Sequence, residues 1–147
     1  MIRVFLTGDN HFGRKYERYP DVKNKLIESR MLSFKRAIRL ANEFKADFFV
    51  ITGDLFDRVS GITAELVREV IGALADFAET VLILPGNHDY FTGDEQVWKY
   101  FEEARIRSGS DIVLMNEFRP YEFETGGETV IFYPAFCQAK HGTKNNL

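Results

Sequence analysis

Three apolar runs that each stop at a glycine constrain this chain more than any other feature. IRVFLTG closes at Gly8, DFFVIT is followed by Gly53, and TVLIL is followed by Pro85 and Gly86. Short runs rich in β-branched and aromatic residues and bounded by turn formers are expected to be strands buried on both faces, the first of them a central strand. Helical spacing fills the intervals. Over residues 22–45 the apolar positions Leu26, Ile27, Met31, Phe34, Ala37, Ile38, Ala41 and Phe44 step by three and four. Residues 63–78 repeat that spacing through Val67, Val70, Ile71, Leu74, Ala75 and Ala78, and residues 94–106 put Val97, Trp98, Phe101 and Ala104 on one face. Three successive βα units predict an α/β fold, a largely parallel buried sheet covered on both faces with flanking helices.

The pattern then changes. Residues 112–115 read as a short strand, and residues 121–124 and 129–133 flank Gly126-Gly127 as an antiparallel hairpin. Residues 135–147 are polar and lack the periodicity that closes a domain. No repeat or linker divides the chain, so residues 1–147 are expected to form a single domain that stops part-way through its architecture. The lone Cys137 cannot form an intrachain disulfide, no export signal precedes Asp9, and no apolar run is long enough to span a bilayer. A cytoplasmic chain is the expectation. Its net charge of −3 advertises no nucleic-acid or membrane partner, so any attraction to phosphate must be local.

Each strand-ending glycine is followed by a carboxylate or carboxamide: Asp9-Asn10-His11, Asp54, and Asn87-His88-Asp89. In open parallel sheets ligands bind in the crevice outside the carboxyl ends of the strands, so these side chains can converge although distant along the chain. Alone, Asp9 or Asp54 would be read as a helix cap, Asn87 as a turn former and His11 as a hydrogen-bonded structural histidine. Together, oxygen and imidazole donors without cysteine suit manganese, iron or zinc, and a carboxylate can bridge two ions. Two ions roughly 3.5 to 4 Å apart clamp the attacking and leaving oxygens of a phosphoryl group. His88, with Asp89 fixing its tautomer, would protonate the leaving oxygen.

D-x-H at Asp9 to His11, G-D at Gly53-Asp54 and G-N-H-D at Gly86 to Asp89 resemble, in order and placement, the calcineurin-like metallophosphoesterases. A G-N-H-D segment arises by chance in a chain of this length on the order of one time in a thousand, so it weighs more than the other two. D-N-H-F-G at Asp9 to Gly13 and G-D-L-F-D at Gly53 to Asp57 are most similar to the SbcD-type DNA-repair exonucleases. The resemblance implies that Asp9 and His11 bind a first divalent ion, that Asp54 bridges two and that Asn87 binds the second, with manganese the first choice. His88 and Asp89 would be the catalytic pair, and a hydroxide activated by two metals the nucleophile. The family supplies further histidines from later segments, one in G-H-x-H. That motif is missing, and only His141 remains, outside any strand-end context. The resemblance thus covers the N-terminal half of a family catalytic domain with an incomplete second metal site. It implies a phosphoester substrate, DNA in the first instance, and a homodimer or a partner ATPase subunit. Rival readings are a small-molecule or nucleotide phosphatase, and a scaffold that keeps the fold without a working metal pair.

Charge is distributed unevenly. Residues 14–39 carry nine basic side chains against three acidic, whereas residues 94–128 carry nine acidic against four basic, a polarity able to orient an anionic substrate. Arg14, Lys15, Tyr16, Arg58 and Tyr90 are candidate substrate contacts, cations and aromatic platforms together being how single-stranded nucleic acid is held. Tyr16, Tyr19 and Tyr90 are expected to be exposed. Phe12 and Phe56 are expected to pin their loops to the core, Trp98 to be buried, and Asp57 to solvate its loop.

Overall fold

In the computed structural model, which describes residues 1–141, β1 (Val4–Thr7), β2 (Phe48–Ile51), β3 (Thr80–Ile83) and β4 (Ile112–Leu114) form a parallel sheet in the order β1-β2-β3-β4. The expectation for the last six residues lies outside the described residues. The register sets Thr7 beside Ile51, Ile51 beside Ile83, and Ile83 beside Leu114. The carboxyl ends of the first three strands therefore stand in one row.

Alternation along the strands divides the core in two. Phe49, Ile51, Val81 and Ile83 join one cluster with the apolar faces of α1 (Lys23–Glu43), α2 (Ala64–Leu74) and α3 (Gln96–Ser108). Phe48, Val50 and Leu82 instead meet Tyr121, Phe123, Val130 and Phe132 of the antiparallel hairpin β5 (Tyr121–Thr125) and β6 (Glu128–Phe132). All three helices thus lie on one face, and the second cover is a hairpin rather than helices. The strand order explains this, because neighbouring strands follow one another without reversal and right-handed crossovers then put every helix on the same side.

β1 departs from its sequence expectation. It is an edge strand, not a central one, and it is not buried on both faces: Phe5 stacks on Phe49 at 5.3 Å, whereas Leu6 on the opposite side is 64% exposed. An apolar composition reports what a strand can bury, not what covers it.

The helices start and stop where local chemistry allows. Thr63 caps α2 by accepting from the Leu66 amide at 3.2 Å, and α3 ends on Gly109 in the left-handed conformation. α2 contributes Val67, Val70, Ile71 and Leu74, all essentially inaccessible, and burial of such side chains contributes roughly 1.5–3 kcal/mol each. Its last turn ends earlier than residue 78. Among the described residues no helix is long and apolar enough to cross a membrane.

Candidate metal centre

The loops leaving β1 and β2 run side by side. The amides of Asp9, His11 and Phe12 donate to the carbonyls of Gly53, Asp54 and Leu55 at 3.1, 2.9 and 2.9 Å, and the Asp57 amide returns to Phe12 at 2.9 Å. Phe12 and Phe56 sit at this seam and are buried in the core, as expected. The strand-ending glycines permit the close approach. A Cβ on Gly53 would lie 3.0 Å from the Gly86 Cα, and a Cβ on Gly86 would lie 2.2 Å from Asp54 Oδ1 and 2.4 Å from the Asp54 amide nitrogen. At Gly86 only hydrogen fits.

Backbone strain marks the same place. Asp9, His11 and Asp54 have φ of 52°, 47° and 54°, the left-handed region that non-glycine residues visit at a cost of order 1–3 kcal/mol each. The reward is convergence. His11 Nε2 lies 3.6 Å from Asp9 Oδ1 and 3.9 Å from Asp54 Oδ2, so donor atoms of three residues from two loops come within coordinating distance of a common point. Asp54 is buried and Asp9 exposed. The third loop reaches the group through its backbone, the His88 amide donating to Asp54 Oδ1 at 2.9 Å. Asn87 precedes His88 on that loop and is exposed.

The carboxylate expected beside His88 is elsewhere. His88 Nδ1 meets the carbonyl oxygen of Asp57 at 3.1 Å, while Asp89 is fully buried and turns inward. Its Oδ1 accepts from the amides of Gly86 (2.7 Å) and Asp54 (3.2 Å), and its Oδ2 from Phe56 (3.0 Å). Asp89 therefore clamps the second loop to the third. Burial pushes its carboxyl up to about 6, with the nearby Asp54 charge adding to the rise, against the three amides that favour the anion. Trp98 of α3 completes the clamp from below, its buried indole nitrogen donating to the carbonyls of Asp89 (3.0 Å) and Tyr90 (3.1 Å).

Asp57 departs from its sequence expectation. Read as a solvated loop position, it is only 15% exposed at its side chain, with Oδ1 3.4 Å from His11 Nδ1 and Oδ2 3.0 Å from Arg58. His11 and His88 lie edge to face with ring centroids 4.9 Å apart. The spacing G-D-x-x-D was the available signal.

Four of the five candidate substrate contacts gather beside this group. Arg14, Lys15, Tyr16 and Arg58, with Arg18 and Tyr19, line a cleft of about 520 Å³ that reaches Asp57. Tyr16 is half-buried rather than exposed: Arg30 hydrogen-bonds both its hydroxyl and the Asn10 carbonyl. Tyr90 is half-buried too, on the loop held by Trp98. Cys137 enters through its backbone, bonded to Pro85 and Phe91 (3.1 and 2.9 Å), and burial, then the charges of Asp54 and Asp89, raise its thiol pKa. His141 is exposed.

Carboxylates of Asp9, Asp54, Asp57 and Asp89 thus crowd a small volume in which Arg58 is the one guanidinium paired to them among the described residues. Uncompensated buried carboxylates are costly unless paired or bound to a metal, and a carboxylate-imidazole set without thiolate suits a hard or borderline divalent ion. The residues present fit such an ion. No curated protein gives a significant match to the chain. A family model described as calcineurin-like phosphoesterase matches residues 2–141, a span that takes in all three loops and the sheet that aligns them, and on that ground the chain belongs to the calcineurin-like phosphoesterase family, whose members hydrolyse phosphoesters with divalent metals.

Proposed function

We propose that the chain is a phosphodiesterase of the DNA-repair exonuclease kind, with Asp9, His11, Asp54 and Asn87 holding two divalent ions, manganese by preference. Bound there, such ions would lower the pKa of a water to about 7 and offset charge on the phosphoryl oxygens. The rest falls to the chain's own groups. The Asp57 carbonyl accepts a hydrogen bond from Nδ1–H of His88 and keeps that ring nitrogen occupied in both protonation states. As the imidazolium, His88 gives its Nε2 proton to the leaving oxygen and ends as the neutral Nδ1–H form, which the same carbonyl still supports. Asp89 acts on the backbone, fixing the loop that carries Asn87 and His88 against the loop that carries Asp54.

The observation that carries the choice of a polyanionic substrate is the cationic cleft. Arg14, Lys15, Arg18 and Arg58 outnumber Glu17 and Asp57 in this groove, where phosphates flanking the scissile one would lie, with the exposed Tyr19 available to bases. Binding of a DNA oligomer should therefore weaken steeply with salt, by about 0.7–0.9 log units of affinity per log unit of salt for each phosphate contacted. Arg14→Ala and Lys15→Ala should each reduce that slope by about 1. A flat salt dependence, alongside manganese-dependent hydrolysis of bis(4-nitrophenyl) phosphate, would replace this reading by a small-molecule phosphodiesterase.

A further inference from the structure

His11 is enclosed by acceptors on both ring nitrogens. Nε2 faces Asp9 and Asp54 at 3.6 and 3.9 Å, and Nδ1 faces Asp57 at 3.4 Å. A neutral imidazole has one N–H, so only one side can receive it, and the side left bare presents a lone pair. Nδ1 is buried and makes no closed hydrogen bond, and the Asp57 carboxylate is the anionic group that lies beside it.

We infer that Asp57 is a positioning residue for His11: its carboxylate holds the imidazole proton on Nδ1 and so turns the Nε2 lone pair toward Asp9 and Asp54. This rests on the reading that Asp9, His11 and Asp54 hold a metal.

Three features favour it over a separate ion site built from His11, Asp57 and His88, whose donor atoms are also close together. The other carboxylate oxygen of Asp57 already carries Arg58 at 3.0 Å, so its charge is partly met. His88 Nδ1 is taken by the Asp57 carbonyl. The backbone of Asp57 is tied to Phe12, the residue after His11, so carboxylate and imidazole are held in one frame. Carboxylates in this relation to a ligating histidine fix its tautomer and raise its basicity, and their loss lowers metal affinity roughly 10- to 100-fold.

The test is the tautomer, read without metal. Long-range proton–nitrogen correlation spectra of the 147-residue chain, with His11 assigned through a His11→Gln comparison, should show hydrogen on Nδ1 in the parent chain above the pH at which the ring is neutral. In Asp57→Ala, and less completely in Asp57→Asn, the population should move to Nε2–H. Mn²⁺ titration of the same samples should show affinity falling about 10- to 100-fold. Hydrogen on Nε2 in the parent, or a tautomer unaltered in both variants, overturns the inference. Asp57→Asn guards against a fold defect in the alanine variant, and far-UV circular dichroism verifies both. If the tautomer follows Asp57 but the parent chain takes up no manganese, the metal reading falls and the tautomer assignment stands.

Discussion

In the β5–β6 hairpin the left-handed positions belong to Gly126 and Gly127, with φ of 57° and 77° and nothing within 4 Å of where a Cβ would stand. In the loops after β1 and β2 the left-handed positions include Asp9, His11 and Asp54, packed against Gly86 and one another. The hairpin uses glycine to remove strain from a turn that only has to return the chain across the sheet. The strand-end loops instead hold side chains that carry oxygen and imidazole donors at those φ values. Strain at non-glycine residues together with crowding at a glycine therefore separates a turn built to position chemistry from one built to reverse direction.

Asp54→Asn should have the largest effect, lowering Mn²⁺ affinity and phosphodiester hydrolysis by more than the roughly 100-fold seen for loss of outer support. It should nonetheless leave the metal-free chain equally stable or about 1 kcal/mol more stable in urea unfolding, because the His88 amide keeps an acceptor while one of two neighbouring buried charges is gone. His88→Ala should follow, with a rate loss of about 10²–10⁴-fold and manganese affinity little changed. Next is Gly86→Ala, whose Cβ meets backbone: about 3 kcal/mol of stability lost, with weaker metal binding as Asp54 is displaced. Gly126→Ala, in open space, should cost only about 1 kcal/mol for the left-handed backbone and should not touch metal binding. Comparable losses for the two glycines would erase the contrast.

The smallest effect is expected at Glu95. Burial alone would raise its carboxyl pKa, but the Thr92 hydroxyl and the amides of Thr92 and Gly93 outweigh this and hold it below its ordinary value. A depressed folded-state pKa contributes stability that is complete above the ordinary value and lost as pH falls through the folded one. Glu95→Gln should thus cost about 0.5 kcal/mol near neutral pH, allowing for its exposure to solvent, and nothing in acid.

Periodicity placed α1 within about two residues of its observed ends, and the Gly126-Gly127 turn fixed the hairpin. Such features are local, and local spacing reports them. What covers a strand is not local: VFLT reads as buried on both faces, yet the edge position of β1 leaves Leu6 open. The glycine-acid pairs showed which loops would meet, because strand ends in a parallel sheet align whatever fills the sheet. They could not show which carboxylate would serve which partner. Asp89 follows His88 in sequence but spends its oxygens on three amides, whereas Asp57, thirty-one residues earlier, supplies the carbonyl that His88 meets. That exchange depends on loop trajectories set by Gly86 and Trp98, which sequence spacing does not encode.

On the proposed reading, Asp9, His11 and Asp54, carried by the loops after β1 and β2, hold a divalent cation between them. Isothermal titration of Mn²⁺ into the chain, run in parallel with Asp9→Ala and Asp54→Asn, tests it directly. The parent should bind saturably, with a thermal midpoint that rises with manganese concentration, and each variant should lose both. No uptake by the parent chain, or uptake that survives both substitutions, would contradict it.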